Sequence, residues 1–321
     1  MPRQLILALA SAALLAGPAR AERLFVSNEK DNTVSVIDAN TLAPIETVRV
    51  GTRPRGIVLS PDGKSLFICA SDSNHIEVMD TQSLKIVRTL ASNPDPELFD
   101  IDPTGKTLYV ANENDNMVSI VDVAGGNVSG EIPVGVEPEG MAVSPDGKTL
   151  VNTSETTSMA HFIDIGSHQV AASVLVGSRP RFAEWTTDGS KVWVSSEIGG
   201  SVAVIDAATH KVLQTIHFAV PGIPAGQIQA VGMALSRDGA LAFVALGPSN
   251  RVAVVDQKTF EVKKYLLVGQ RVWHLAFNGD QSRLFTANGV SNDVSVIDVA
   301  ALKVLKSVPV GRAPWGVVVA P

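Results

Sequence analysis

Two positions of a sequence repeat carry arginine, carboxylate and tryptophan side chains that together could bind a small molecule. Arginine makes bidentate contacts to carboxylate or phosphate groups, and tryptophan offers a flat face for stacking. The repeat brings these positions to the same end of successive units, so we expect one shared site. The candidate ligand-binding residues are Arg53, Arg55, Glu97, Glu139, Arg179, Arg181, Arg271, Trp273, His274 and Trp315.

A second interpretation of the same residues needs no ligand. Neighbouring arginine and glutamate side chains would pair with one another, and such surface ion pairs contribute little to stability. The tryptophans would then plug the centre of the fold. The sequence leaves both interpretations open.

Asp100 and Glu184 occupy a repeat position where the other repeats carry only small apolar residues. Burial there would raise the pKa of each carboxyl group unless it is paired, although a water-filled channel could solvate both. His274 stands where most repeats have glycine, so its side chain must use space that glycine leaves free. If the chain is an enzyme, Asp100, Glu184 and His274 are the acid–base candidates. The usual catalytic motifs are missing, and the scattered histidines predict no metal site.

Seven short β-branched runs that end in aspartate define the repeat. Their last residues are Asp38, Asp80, Asp122, Asp164, Asp206, Asp256 and Asp298, which are 42 residues apart except for one interval of 50. A period of about 40–45 residues rich in short strands is typical of a β-propeller, in which each repeat is one four-stranded blade. Turn formation explains these aspartates and the Asp-Gly pairs, so we assign them a structural role.

The two ends of the sequence predict how the ring closes. With strands A to D running from the channel outward, RLFVSN (23–28) is typical of strand B and PWGVVVAP (314–321) of strand A. We therefore predict an all-β, seven-bladed β-propeller in which one blade takes strand A from residues 315–320 and strands B–D from residues 23–50. The candidate binding residues would then surround one mouth of the channel. The eight extra residues fall in 217–230, a D–A connection on the same face, and form either a partial lid or docking loop or a tolerated insertion.

The first 21 residues resemble a secretory signal, with a short apolar stretch before Ala19-Arg20-Ala21. We expect a signal peptide at 1–21, a single propeller domain at 22–321, and a periplasmic, monomeric product without membrane insertion. The chain has a net charge of −6. Removal of Arg3 and Arg20 makes it more negative, which argues against nucleic acid or anionic lipid as the main partner. Cys69 is the only cysteine, so no internal disulfide can form.

The strand B sequences LFVSN (24–28), LYVAN (108–112) and LFTAN (284–288) resemble the YVTN family of β-propeller repeats. Segments such as RPRGIVLSPDG, PDPELFDIDPTG and VGVEPEGMAVSPDGK are similar to periplasmic propellers associated with pyrroloquinoline quinone (PQQ)-dependent alcohol catabolism. This resemblance covers essentially the whole chain after residue 21. It implies an association with quinoprotein dehydrogenases, and it assigns no reaction and no site residue.

These observations favour a periplasmic, non-catalytic β-propeller that binds a ligand or a protein in the service of PQQ-dependent alcohol oxidation. PQQ is the candidate small anionic ligand, stacked on Trp273 and Trp315 and held by the arginines. A PQQ-dependent dehydrogenase or its cytochrome is the candidate protein partner. The alternative is an enzyme, either a lactone hydrolase or a cofactor-bearing oxidoreductase subunit, that acts at the channel mouth.

Overall fold

Each sequence repeat forms one sheet of four antiparallel strands, and seven such sheets surround a central channel. The structure is a computed structural model that describes residues 22–321. The expected signal peptide at 1–21 lies outside the described residues. Blade 1 joins both ends of the chain, and blades 2 to 7 follow in chain order. The predicted all-β, seven-bladed propeller is confirmed.

The strands of blades 1 to 4 are β1 (Arg23–Asn28), β2 (Thr33–Asp38), β3 (Pro44–Arg49), β4 (Pro54–Leu59), β5 (Ser65–Ala70), β6 (His75–Asp80), β7 (Ile86–Ala91), β8 (Pro96–Ile101), β9 (Thr107–Asn112), β10 (Met117–Asp122), β11 (Asn127–Pro133), β12 (Pro138–Val143), β13 (Thr149–Ser154), β14 (Met159–Asp164) and β15 (Gln169–Leu175). The remaining strands are β16 (Pro180–Trp185), β17 (Lys191–Ser196), β18 (Ser201–Asp206), β19 (Val212–His217), β20 (Met233–Leu235), β21 (Leu241–Ala245), β22 (Arg251–Asp256), β23 (Val262–Leu267), β24 (Val272–Phe277), β25 (Arg283–Asn288), β26 (Asp293–Asp298), β27 (Lys303–Pro309) and β28 (Pro314–Ala320). Short 3₁₀ helices occupy Ser71–Ser73, Glu113–Asp115 and Ala225–Gln227.

The blade that closes the ring is assembled from both ends of the chain, as predicted. β28 pairs with β1 in antiparallel register, with Leu24 opposite Val319 and Phe25 opposite Val318. β28 is strand A of this blade, and β1, β2 and β3 are its strands B, C and D. This pairing covers strand edges that would otherwise be exposed.

The aspartates that end the seven strands C form the turns that follow them. Asp38 Oδ1, for example, accepts the backbone N–H groups of Asn40 and Thr41 at 2.9 and 2.7 Å. Equivalent bonds reach the other six aspartates of the repeat. A carboxylate that binds its own turn in this way explains why the repeat ends in aspartate.

A second repeated contact is a hydrogen bond from the B–C turn of one blade to the segment that enters the next blade. Asn116 has a left-handed backbone (φ 55°), and its side-chain oxygen accepts the N–H of Glu137 at 3.1 Å. Glu137 itself has φ 57°, a conformation that a residue with a side chain adopts rarely. The same bond joins four further pairs, Asn32–Arg53, Asn74–Asp95, Asn250–Arg271 and Asn292–Ala313. These bonds fix the backbone where the chain enters strand A in five of the seven blades.

Seven apolar clusters in the described chain lie between adjacent blades, and the cluster between blades 3 and 4 also contains Trp315 of blade 1. The cluster between blades 5 and 6 also holds both ends of the insertion, through Phe218, Val220 and Ile228. The repeat predicts that Val231 enters strand A of blade 6, but after the insertion this strand spans only Met233–Leu235, so Val231 precedes it. Within residues 22–321, no helix combines the length and the apolar character that a membrane crossing requires.

Candidate functional site

The seven strands A run from the face that carries the B–C and D–A connections, here the rim face, to the face that carries the A–B turns, here the turn face. In six blades the predicted binding position is the second residue of strand A. The third residue is glycine in blades 1, 2 and 4, and it is Leu98, Phe182 or His274 in blades 3, 5 and 7. In blade 6 the equivalent residue, Gly232, precedes the shortened strand A. A Cβ atom on Gly232 would lie 2.6 Å from the carbonyl oxygen of Trp273 and 2.8 Å from the His274 ring. Glycine is therefore required where the next blade approaches.

His274 fills the centre of the channel just below the rim. Its ring centroid lies 4.1 Å from that of Trp315 and 5.5 Å from that of Phe182. His274 Nδ1 donates to the carbonyl oxygen of Trp315 at 3.1 Å. Burial lowers the pKa of His274 to about 3, so the ring is neutral near pH 7. Trp315 is only 1% exposed, so its indole offers no open stacking face.

Both rim arginines of blade 2, Arg53 and Arg55, bind carboxylates of blade 3. Glu97 is fully buried, and its two carboxylate oxygens accept from Arg53 Nη2, at 3.1 Å, and from Arg55 Nη1. Arg53 also contacts Asp72 at 2.7 Å and pairs with Asp95. Both guanidinium groups thus pair with carboxylates of the chain itself, and Arg55 Nε is left without a hydrogen-bond partner in the described part of the chain.

The remaining rim arginines form a second network on the other side of the channel. Arg179 Nε donates to Glu155 at 2.7 Å, and Arg271 Nη2 donates to Glu197 at 2.9 Å. Arg181 is almost completely buried between these groups and donates to Glu155. Nearby carboxylates hold the pKa of Arg181 above its ordinary value even though burial acts against its charge.

Arginines also cover the rim tryptophans. The guanidinium carbon of Arg271 lies 4.1 Å from the ring centroid of Trp273, and that of Arg181 lies 5.8 Å away. Arg55 stands over Trp315 at 5.7 Å. The predicted rim residues therefore lie together in the structure. Their charged groups and their indole rings contact one another.

Glu139 is the exception in this network because neither of its carboxylate oxygens accepts a hydrogen bond. The side chain is 1% exposed, and its nearest cation is Arg181 Nη2 at 3.2 Å. Burial raises the pKa of Glu139 to about 7. The pKa of Glu97 is also raised, first by burial and then by the neighbouring Glu139. Glu139 is therefore partly protonated near neutral pH.

Asp95, Glu97 and Glu113 lie close enough for one oxygen from each to contact a single metal ion. Arg53 already pairs with Asp95 and Glu97, and Arg55 pairs with Glu97. These arginines supply the positive charge that a cation would otherwise bring, so we assign no metal to this cluster.

The sequence analysis overlooked Glu155 and Glu197, which hold three of the rim arginines in place. Each directly follows a strand B, at the repeat position that holds Glu29 and Glu113 in other blades. Aligning the B–C turns as well as the strand A positions would have identified them, since both lie on the rim face.

Below His274 the channel widens into a cavity of about 480 Å³, here the channel cavity, which reaches the turn face. Its wall is largely apolar, with Leu98, Leu235 and Phe277 among the lining residues. Glu184 lines the middle of the wall, and burial together with Asp100 raises its pKa to about 8. Arg237 and Gln281 lie where the cavity meets the A–B turns, and the sequence analysis had not singled them out.

Asp100 shares a smaller cavity of about 290 Å³ with Glu184. Asp100 Oδ2 accepts the N–H of Val143 at 2.8 Å, which partly offsets burial, and the pKa of Asp100 is raised to about 6. The raised pKa expected for both carboxyl groups agrees with the structure. Of the three acid–base candidates, Glu184 and His274 line the channel cavity together, whereas Asp100 borders it only through Glu184.

The insertion lies on the rim face and contributes no residue to the wall of the channel cavity. Its first part is held by Tyr265, whose hydroxyl oxygen accepts the N–H of Ala219 at 3.1 Å. Its middle, around Pro221 and Pro224, is exposed. Gln229 at its end accepts from Arg271 Nη1 at 2.6 Å. The insertion therefore borders the rim network at blade 6.

Comparisons with known proteins agree with this fold. A family model described as YNCE-like beta-propeller matches residues 1–120. A sequence search of curated proteins finds no significant match.

Similar solved structures include two lactonases and a synthase. The Pseudomonas aeruginosa periplasmic gluconolactonase is 19% identical with a TM-score of 0.79, over 94% of this chain and 99% of that one. A putative 6-phosphogluconolactonase from Bacteroides fragilis is 17% identical with a TM-score of 0.80, over 95% and 99%. Kuenenia stuttgartiensis hydrazine synthase is 22% identical with a TM-score of 0.73, over 85% and 92%. At these identities the likeness shows the fold alone.

Proposed function

We propose that this β-propeller is a non-catalytic binding protein that takes a neutral small molecule into the channel cavity from the turn face. The observation that carries this proposal is a largely apolar cavity of about 480 Å³ with a single carboxyl group, Glu184, in its wall. Ligand pockets typically measure about 300–1,000 Å³ and combine apolar walls with a few polar groups. The rim mouth, in contrast, has its arginines engaged by carboxylates.

The protonation of the cavity defines the chemistry of the ligand. With a pKa of about 8, Glu184 is mostly protonated at pH 7 and can donate a hydrogen bond. Asp100, with a pKa of about 6, is mostly ionised at the same pH and repels anions. A neutral molecule with a carbonyl or ether oxygen fits both conditions, since the oxygen accepts from Glu184 and the remainder contacts the apolar wall. Arg237, the cation in the lining, lies at the turn-face opening and donates to the carbonyl oxygen of Gly279.

The resemblance to propellers of PQQ-dependent alcohol catabolism supports placing this binding protein in the periplasm, in the service of alcohol oxidation. PQQ is the ligand that this resemblance suggests. To bind at the rim, PQQ would have to displace Glu97, Glu155 and Glu197 from the arginines. A neutral product or precursor of alcohol oxidation has no such requirement in the channel cavity.

Titration with Nile red, a neutral dye with a carbonyl oxygen, tests the cavity. Ala234 lines the cavity, so Ala234→Phe should abolish binding by filling it, whereas Ala300→Phe on an exposed turn should not. Glu184→Gln retains a neutral donor and should bind at pH 7 within about threefold of the original chain. If Ala234→Phe and Ala300→Phe bind the dye equally, or if neither binds it, the cavity is not a ligand site. A parallel titration with PQQ, followed by tryptophan fluorescence, tests the rim.

An enzyme that acts in the channel is the second candidate function. It is favoured by the closeness of Asp100 and Glu184, whose pKa values of about 6 and 8 suit one base and one acid. His274 is neutral and bonded to the Trp315 carbonyl, so it would position a ligand and not transfer a proton. Hydrolysis of a sugar lactone that disappears in both Asp100→Asn and Glu184→Gln would establish this function over binding alone.

A further inference from the structure

The connections of the rim face divide into two arcs of different character. Those of blades 1 to 3, together with the segment entering blade 4, carry seven carboxylates and only three basic residues, Lys30, Arg53 and Arg312. We name this the acidic arc, and its carboxylates are Glu29, Asp31, Asp72, Asp95, Glu113, Asp115 and Glu137. Around the rest of the ring, the only carboxylates in these connections are the buried Glu155 and Glu197.

The other arc exposes apolar side chains at the tips of its connections. Ile198 is 68% exposed in the B–C turn of blade 5, and Val290 is 60% exposed in that of blade 7. Between them lies the exposed middle of the insertion, which contains no charged residue. Val136, which is 42% exposed, continues this surface to the edge of the acidic arc. We name these residues the apolar arc.

The acidic arc has carboxylates that the chain does not neutralise. Among the described residues, Glu113, Asp115 and Glu137 form no ion pair with a basic side chain. Asp115 is exposed at the tip of its turn. Like charges held together on one face cost free energy unless a cation or a positively charged surface approaches them.

We propose that the rim face docks a basic protein whose lysine or arginine side chains meet the acidic arc and whose apolar patch covers Ile198, Val290 and the insertion. The negative charge of the rim face favours a basic protein over other occupants. A second copy of the chain also has a net charge of −6, so its rim would repel this one. A surface of anionic lipid would be repelled in the same way. A protein interface usually combines apolar contact with polar and charged groups, as these two arcs do.

The docking surface is separate from the channel cavity, which opens on the opposite face. A partner bound at the rim would leave the cavity accessible from the turn face. The two proposals are therefore independent, and Ala234→Phe, which fills the cavity, should leave docking unchanged.

Calorimetric titration with a lysine-rich c-type cytochrome at about 20 mM ionic strength tests the docking surface. We expect saturable binding that weakens steeply as salt is added. Succinylation of the cytochrome reverses the charge of its lysines and should abolish binding. Failure of the unmodified cytochrome to bind at concentrations up to about 1 mM, or equal binding of the succinylated form, would overturn the proposal.

Paired substitutions locate the surface. Glu113→Lys with Asp115→Lys should weaken binding at least about tenfold, whereas Glu46→Lys with Glu261→Lys, on outer strands, should change it less than about twofold. Ile198→Ser should weaken it about threefold or more, and Leu175→Ser, equally exposed on an outer strand, should not. Equal effects within either pair would show that binding follows net charge or general hydrophobicity, and the proposal would fail.

Discussion

The imidazole of His274 packs against the indole of Trp315 with ring centroids 4.1 Å apart, while His274 Nδ1 donates to the Trp315 carbonyl oxygen at 3.1 Å. These two residues come from adjacent strands A, on blade 7 and on the split blade 1. Their contact separates the charged rim from the apolar channel cavity. Trp315 borders both the rim and the channel cavity, so tryptophan fluorescence can report a molecule that enters either one.

Removal of the His274 ring should open a passage between rim and cavity. We expect His274→Ala to lower the free energy of unfolding by about 2–4 kcal/mol, because a buried ring and its hydrogen bond are lost. Acrylamide should then quench the tryptophan fluorescence more strongly. His217→Ala, at an exposed strand position, should change stability by no more than about 0.5 kcal/mol. A similar small change in His274→Ala would contradict the role of His274 as a plug.

Glu184 should make stability fall as pH rises. Its folded pKa of about 8 exceeds the ordinary value of 4.5, so the folded chain binds a proton that the unfolded chain releases between those values. The cost is absent at pH 4, grows through neutral pH and is complete above about pH 8. Glu184→Gln should therefore match the original chain at pH 4 and exceed it in free energy of unfolding at pH 9.

Urea unfolding at several pH values measures this difference. Each unit of pKa shift corresponds to about 1.4 kcal/mol, so even part of the expected shift is measurable. Glu261→Gln, on an exposed position, provides the control and should leave the pH profile unchanged. If Glu184→Gln gains nothing at pH 9, then Glu184 is solvated as an ordinary surface carboxylate.

Arg181 should be the most important single cation of the rim. It lies within 4 Å of Glu139, Glu155 and Glu197 and is itself almost buried. Arg181→Met leaves these carboxylates without their shared cation and should cost about 3–5 kcal/mol of unfolding free energy. The loss should be smaller at pH 5 than at pH 8, since Glu139 is protonated at the lower pH.

Arg312→Met provides the comparison because Arg312 also pairs with a carboxylate, Asp31, but is largely exposed. We expect this change to cost about 0.5 kcal/mol or less. Equal losses for Arg181→Met and Arg312→Met, or a loss at Arg181 that does not depend on pH, would show that the buried network contributes no more than surface ion pairs do.

One substitution should stabilise the ring. Ser158 has φ 55° at the turn position that is asparagine in five other blades, and Arg179 follows it by the same number of residues as Glu137 follows Asn116. Ser158→Asn should supply an acceptor for the Arg179 N–H and add about 0.5–1 kcal/mol to the free energy of unfolding. Asn116→Ala should lose a similar or larger amount. Thermal unfolding checks both, and destabilisation by Ser158→Asn would contradict this explanation of the turn.

The sequence predicted most of the fold because the propeller repeats its local chemistry. The aspartate that ends each strand C and the turn residues mark the strands directly, and RLFVSN (23–28), predicted as a strand B, coincides with β1. Strand A of blade 6 was placed wrongly, since the insertion between Phe218 and Ala230 replaces its first residues. The shortening of this strand depends on packing between blades 5 and 6, which the local sequence pattern does not indicate.

The candidate site was predicted only in part. Repeat positions placed Arg55, Glu97 and Arg181 around one channel mouth. They could not show which charges pair, because the pairs join different blades and involve Glu155 and Glu197 from the B–C turns. Nor could they show that Trp315 is covered and that the accessible volume lies below His274. These outcomes depend on how side chains from all seven blades share the narrow centre.

The split blade also sets the order in which the chain can fold. Arg23 pairs with Ala320, so the ladder between β1 and β28 cannot form until almost the whole chain has been synthesised. Blades 2 to 7 are local hairpins that can form earlier, while a contact of such long range closes slowly. Until then β1 has no partner on its channel side and the half-finished ring can pair with another chain. Ring closure is therefore the step at which folding competes with aggregation.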